Sequence, residues 1–149
     1  MALSVLQRRS GPEWPLGAIV VSTAGTPVGI MSLVDANNTN APETPSNRLT
    51  SEYTTTCRSI WFQGYHPGAN NNGMVLNSGN VYVTVNDGNG NPGNRTNSGT
   101  MVMVVPPGSS APLPDSLGSA VRFSPYKYSI DVDTNGDGAL VTLIGPMGQ

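Results

Sequence analysis

The chain has 149 residues and a formal net charge of −2, and only 11% of its residues are charged. A typical soluble domain carries about 25% charged residues, so this chain is poor in charge for its size. It has a single lysine, Lys127, and a single basic pair, Arg8-Arg9. Such a chain does not have the clustered cations that bind nucleic-acid phosphates. It also has no apolar run of about 20 residues that could span a membrane. Neither nucleic acid nor membrane is expected as a partner.

The composition favours short strands joined by many turns. The chain contains 15 Val and 13 Thr, which suit strands, together with 18 Gly and 13 Pro, which suit turns. Its length corresponds to one domain. Cys57 is the only cysteine, so no disulfide can form within the chain, and we expect Cys57 to pack as a small apolar core residue.

Residues 1–16 are predicted to form an extended N-terminal arm, followed by a single domain at 17–149. Gly11, Pro12 and Pro15 would stop a helix in this segment. The short apolar stretch precedes the basic pair, which is not the order of a secretory signal. Residues 35–50, rich in Asn, Pro and Ser, are predicted to form a long loop, and loops of this length usually contact something. The predicted contact residues of the arm and the loop are Leu3, Val5, Leu6, Trp14, Asn38 and Pro42. Docking onto the same chain and onto a neighbouring chain both remain open.

Strand patterns recur at short intervals, with turns every 8–12 residues. The segment Met101–Val105 is apolar on both faces, which predicts a covered central strand. Eight or nine strands of this kind predict an all-β fold, an antiparallel β-sandwich with a jelly roll as the favoured topology. The predicted strands lie within 17–22, 28–34, 52–65, 80–85, 101–105, 121–123, 126–133 and 139–144, and the stretches 66–78, 87–97 and 109–119 are expected to be loops.

The sequence Asp133–Gly138, DTNGDG, admits two interpretations. Its Asn-Gly and Asp-Gly pairs predict a tight hairpin turn between the last two strands. The alternative is a calcium loop with Asp133, Asn135 and Asp137 as ligands, since alternate side-chain oxygens suit that ion. A full loop also needs an acidic residue at its twelfth position, and Ile144 stands there. We therefore expect a turn with no metal, and no cofactor elsewhere.

Catalytic signatures are weak in this sequence. His66 is the only histidine, so neither a clustered zinc site nor several catalytic imidazoles can form. A pair of carboxylates could still hydrolyse a glycoside, but no spacing marks such a pair. Trp61 and Tyr82 point away from the aliphatic faces of their strands and could form an aromatic platform for a sugar. The alternative is that they cover a second face or a subunit contact. A non-enzymatic protein is expected.

Three segments of the chain resemble small structural proteins of tailed bacteriophages. The first runs from Ile60–Gly64, IWFQG, to Asn77–Val83, NSGNVYV. The second is Val104–Ser109, VVPPGS, and the third extends from Phe123 through Gly138 with FSPYKYSIDVD and GDG. The resemblance covers about residues 17 to 145. It implies a capsid decoration or cement protein, a small β-sandwich that sits on the phage head as a dimer or trimer. Its partners would be the major capsid protein and itself, after synthesis in the host cytoplasm.

Two other functions remain as alternatives. The same sandwich could be a tail, fibre or baseplate module that binds a partner protein or a host glycan, or a small carbohydrate-active enzyme. The composition suits a decoration protein, because contacts made by apolar and amide groups need few charges and are insensitive to salt. Many weak contacts of this kind also add together on a symmetric shell.

Overall fold

The fold is described by a computed structural model that covers residues 13–32, 56–71, 73–87, 89–97, 99–114 and 122–145. Its regular structure is mostly strand, which confirms the all-β prediction. The strands are β1 Glu13–Val20, β2 Val28–Gly29, β3 Ser59–Gln63, β4 Tyr65–Pro67, β5 Met74–Leu76, β6 Val81–Val85, β7 Met101–Val105, β8 Ser110–Pro112, β9 Tyr128–Val132 and β10 Gly138–Ile144, with 3-10 turns at Ala69–Asn71 and Pro125–Lys127.

The strands form two four-stranded antiparallel sheets and one hairpin. Sheet A has the order β1-β10-β3-β8, sheet B has the order β2-β9-β6-β7, and β4 pairs with β5. Within the sheets, β1 pairs with β10, β2 with β9, β3 with β8 and β6 with β7. These pairings are nested along the chain, and two further pairings, β10 with β3 and β9 with β6, complete the sheets.

One hydrophobic core lies between the sheets and gives the fold its sandwich-like character. In β3, Ile60 and Phe62 are buried while Trp61 and Gln63 are exposed, as the sequence alternation predicts. Residues of both sheets belong to one buried cluster: Leu16, Ile19, Ile60, Phe62, Val141 and Leu143 from sheet A, and Val81, Val83, Val105, Ile130 and Val132 from sheet B. A register shift between Pro15 and Gly17 allows both Leu16 and Ile19 to be buried.

Three details of the predicted strand pattern are wrong. The segment between β9 and β10 is not a hairpin turn, because β9 lies in sheet B and β10 in sheet A; it is an arch that joins the sheets. Strand β7 lies at the edge of sheet B, not at its centre. Strands β4, β5 and β8 form in stretches predicted as loops, since each of them is only three residues long and shows little periodicity.

The boundary predicted between the arm and the domain also differs from the structure. Strand β1 begins at Glu13, within the segment 1–16 that was expected to be an arm. Residues 1–12 and 33–55 lie outside the described residues.

The connection between β6 and β7 covers part of the outward face of sheet B. The hydroxyl of Thr84 donates a hydrogen bond to the carbonyl of Gly93 at 3.0 Å. A Cβ on Gly93 would lie 2.2 Å from the carbonyl oxygen of Val85, so only glycine allows this close approach. Ser129 and Asp131 consequently have no exposed surface although both alternate with the core residues of β9. The sequence predicted only an exposed loop at residues 87–97.

Cys57 lies in the core with no exposed surface, as predicted. Burial raises the pKa of its thiol to about 12, and the charge of Arg122 opposes this rise only in part. At pH 8 about one thiol in ten thousand would be a thiolate, and the thiolate is the reactive form. We expect a thiol reagent such as Ellman's reagent to label native Cys57 far more slowly than the denatured chain. The rate should rise with pH throughout the range in which the fold persists. Complete labelling of the native protein within seconds at pH 8 would contradict this expectation.

Candidate functional site

The predicted contact residues are placed only in part by the structure. Leu3, Val5, Leu6, Asn38 and Pro42 lie outside the described residues. Trp14 belongs to β1, where its backbone lies opposite Leu143 of β10. The last four residues of the predicted arm, 13–16, therefore belong to β1 of sheet A. A contact role for residues 1–12 stays a prediction.

The side chains of the possible calcium loop accept hydrogen bonds from backbone N–H groups of two other segments of the chain: Asn135 contacts Ala24, whereas Asp133 and Asp137 both contact residues 78–80. The Asn135 Oδ1 atom accepts a hydrogen bond from the backbone of Ala24 at 2.8 Å. Asp137 is buried and accepts hydrogen bonds from the backbone N–H groups of Ser78 and Gly79. Asp133 receives other donors, described below. Within the described ranges no group of three or more His, Cys, Asp or Glu side chains could hold a metal ion. All three side chains therefore help to hold the arch to other segments of the chain.

The side chain of Asn77 pairs with Gly138 of β10, beyond the last residue of β10 that pairs with β3. Its side-chain amide donates to the carbonyl of Gly138 at 2.7 Å, and its Oδ1 atom accepts from the N–H of the same residue at 3.2 Å. A side-chain amide thus pairs both backbone groups of one residue, as a neighbouring strand would. The His66 Nδ1 atom lies 3.1 Å from Asn77 Oδ1 and 3.5 Å from Asp137 Oδ1. His66 was predicted as a residue of a surface loop, but it is half-buried and faces this pair.

Arg95 joins two carboxylates on the outward side of sheet B. Its Nε atom lies 3.6 Å from Asp131 Oδ2, and its Nη1 atom contacts Asp133. The guanidinium also lies over the ring of Tyr82, 5.6 Å from the ring centroid. The Tyr82 hydroxyl donates to Asp133, 3.0 Å from each carboxylate oxygen. Asp131 has no exposed surface, and its Oδ1 atom accepts from the N–H groups of Gly25 and Val132.

The segments quoted above for their resemblance to phage proteins meet one another in the structure. The N–H of Gly64 donates to the carbonyl of Ser109, and the N–H of Gly108 donates to the carbonyl of Gly64. The N–H of Asn77 also donates to Gly64. Asp137 and Gly138 bind the segment 77–79, as described above. These motif residues bind backbone groups to each other, so their role in this fold is to hold three loops together.

The outward face of sheet A is uncharged over most of its described area. Trp61 is its largest side chain and is 39% exposed. A row of residues in register crosses all four strands here: Pro15 on β1, Thr142 on β10, Trp61 on β3 and Pro112 on β8. Glu13, at one end of β1, is the only charged residue among those that belong to the strands of sheet A. This face offers a largely uncharged surface centred on one tryptophan.

Trp61 and Tyr82 do not form one aromatic platform. Trp61 belongs to sheet A and Tyr82 to sheet B, and both alternate with residues of the core between the sheets. The two rings therefore lie on opposite outer surfaces. Tyr82 is also engaged by Arg95 and Asp133. The sugar platform considered from the sequence is wrong.

A second exposed apolar surface lies on the hairpin of β4 and β5. Met74, Val75 and Leu76 are 40%, 44% and 53% exposed. Leu76 packs against Gly108, whose added Cβ would lie 2.8 Å from the Leu76 Cδ1 atom. These residues belong to the stretch 66–78, which the sequence predicts as a polar loop. The run Met-Val-Leu was the available signal for a strand, but three apolar residues between Gly73 and Asn77 are too few to show a strand period.

Comparison with known proteins identifies no relative. No family model matches the chain, and no curated protein or solved structure matches it. None of the helices found among the described residues is long and apolar enough to cross a membrane.

Proposed function

We propose that this chain is a structural protein of a tailed-phage virion that decorates the capsid and bridges neighbouring capsid subunits. It acts without catalysis, on the outer surface of the head, after synthesis in the host cytoplasm. The observation that carries the proposal is the uncharged outward face of sheet A with Trp61 at its centre. Large aromatic side chains of this kind supply much of the free energy of protein–protein contacts. The resemblance of the three motif segments to phage proteins supports the same function.

The topology we propose for the sandwich is a jelly roll. The support is the nested pairing of β1 with β10, β2 with β9, β3 with β8 and β6 with β7. Rolling up such a four-pair ribbon places alternate pairs in opposite sheets, which gives the two strand orders described above. The β4–β5 hairpin is then an insertion between the third and fourth strands of the roll. Jelly rolls are frequent among capsid proteins, although a fold alone does not establish a function.

The test is co-sedimentation of the purified protein with heads of the phage that encodes it, prepared without this protein. Trp61→Lys should fold, because the side chain points outward and is already 39% exposed. We expect this variant to bind heads at least about 30-fold more weakly, the effect of losing one central aromatic contact. Met74→Lys is the matched control: Met74 is 40% exposed but lies on the hairpin, and its binding should be unchanged.

Equal binding by Trp61→Lys and wild type would overturn the role of sheet A. A deletion of residues 1–12 tests the arm separately, and it stops before Glu13 because β1 begins there and Leu16 belongs to the core. If the wild-type protein does not bind heads at all but sediments with tails, the tail-module alternative is favoured. Binding to a host glycan, lost in Trp61→Lys, would favour the glycan form of that alternative.

A further inference from the structure

Strand β7 combines an interior sequence with an edge position. Its sequence, Met-Val-Met-Val-Val, is apolar at every position, which is typical of strands covered on both sides. In the described structure it pairs only with β6, so its other side is an edge of sheet B. Val104 is 43% exposed there. An edge with this composition is a template for another strand.

The other three sheet edges carry features that discourage pairing. Strand β1 contains Pro15 and a register shift next to it. Strand β2 has two residues, and β8 has three, of which one is Pro112. Short strands, prolines and bulges are the usual means by which proteins block an edge. Strand β7 has five residues with no proline and no charge, and its register shift lies before Met103 and leaves Met103–Val105 regular.

The backbone of Val104 points away from β6. The N–H of Asp133 donates to the carbonyl of Asn80, and the N–H of Val85 donates to the carbonyl of Thr100. Backbone groups alternate in direction along a strand. The N–H and C=O groups of Val81 and Val83 are therefore directed at β7, and those of their partners Val105 and Met103 are directed at β6. The N–H and C=O of Val104, between them, are then directed at the free edge.

We infer that β7 pairs with β7 of a second copy of this chain, antiparallel and across a two-fold axis at Val104. In that register Val104 of each chain donates its N–H to the carbonyl of the other, and sheet B becomes one sheet of eight strands. A two-fold contact brings each residue near the axis against its own counterpart, so a charged residue there would repel itself. No ionisable residue occurs between Arg95 and Asp115, a stretch that contains β7, the turn after it and β8. The absence of charge complements a second copy and offers nothing to a charged partner.

The test is the mass of the full chain in solution, measured by sedimentation equilibrium. The wild-type protein should be a dimer. Val104→Pro removes only an N–H that faces away from β6, so it should fold and sediment as a monomer; Val104→Lys should do the same by placing like charges at the axis. Met103→Pro removes an N–H that bonds β6 and should lower stability, which verifies the assigned direction of the backbone. Val20→Lys changes a valine of similar exposure, 38%, on β1, and should remain dimeric.

A monomeric wild-type protein at concentrations of tens of micromolar would overturn the inference. A dimer that survives in Val104→Pro and Val104→Lys would also overturn it, and a dimer lost only in Val20→Lys would move the contact to sheet A. The result is independent of head binding, because Trp61 lies on the other sheet. A Trp61→Lys protein that is dimeric but does not bind heads separates the two surfaces.

Discussion

Replacing Arg95 with alanine should lower the free energy of unfolding by about 3 kcal/mol, because it leaves a buried carboxylate without its cation. Asp131 has no exposed surface, and among the described residues its Oδ2 atom has no hydrogen-bond partner. The nearby charge that compensates this oxygen is the Arg95 guanidinium, at 3.6 Å. Asp133, which is more exposed, should contribute less to the loss, since exposed pairs are worth at most about 1 kcal/mol. Urea unfolding monitored by tryptophan fluorescence measures the change.

A double-mutant cycle separates the charge from the packing of the arginine. Asp131→Asn removes the buried charge while keeping an oxygen that can accept from Gly25 and Val132, so its cost should be smaller in the Arg95→Ala protein than in wild type. Arg58→Ala is the matched control, because Arg58 is exposed and should change stability by less than about 0.5 kcal/mol. A loss below 1 kcal/mol for Arg95→Ala would show that Asp131 is compensated in some other way.

Replacing Gly138 with alanine should destabilise the protein by at least about 3 kcal/mol, the upper end of the range for overpacking. An added Cβ would lie 2.1 Å from the carbonyl oxygen of Ile19, a contact that real Cβ atoms do not make. The atom it meets belongs to the backbone of β1, so no side-chain rotation can relieve the clash. A shift of Gly138 would also disturb both of its hydrogen bonds with the Asn77 side chain. Thermal unfolding should show a lower melting temperature, or the variant should fail to accumulate as folded protein.

Gly136→Ala provides the comparison for Gly138→Ala. Gly136 has a φ of 89°, which an alanine adopts only at a cost of about 1–2 kcal/mol. No atom lies within 4 Å of its added Cβ, so this variant reports backbone strain without a clash. If both variants lose the same stability, the crowding at Gly138 is not what matters. Asn77→Ala should reproduce part of the loss of stability seen in Gly138→Ala, because it removes the two hydrogen bonds between the Asn77 side chain and the Gly138 backbone.

The interior of the sandwich could be predicted from alternation, whereas its connectivity could not. Ile60 and Phe62 in β3 and Val81 and Val83 in β6 are buried as their spacing indicated. The same pattern does not show which strand lies beside which. A local rule therefore assigned Asn135-Gly136 to a hairpin, although Gly136 has the expected positive φ within an arch. The turn chemistry was recognised, but the strand partners depend on contacts far away in the chain.

The polar contacts of the candidate site were hidden for the same reason. Asp131, Asp133 and Asp137 were visible as acids, yet their partners come from residues 25, 78–80, 82 and 95. The separation of Asp131 from Gly25 is 106 residues, and no motif connects positions so distant. Trp61 was correctly placed on the outward side of β3, because one strand alone determines that. That Trp61 and Tyr82 lie on opposite surfaces could not be predicted, because it depends on β3 and β6 belonging to different sheets.

The pairing of β1 with β10 has a consequence for how the fold forms during synthesis. Glu13 lies opposite Ile144, so β1 cannot pair with β10 until residue 144 has left the ribosome. Loop closure over so many residues is slow, and all-β folds of this kind assemble in milliseconds to seconds. During synthesis the apolar strands of both sheets stay open to one another and to other nascent chains. Because the chain has few charged residues, electrostatic repulsion does little to prevent such encounters. The yield of folded protein should therefore depend on expression rate and temperature more steeply than its equilibrium stability alone would suggest.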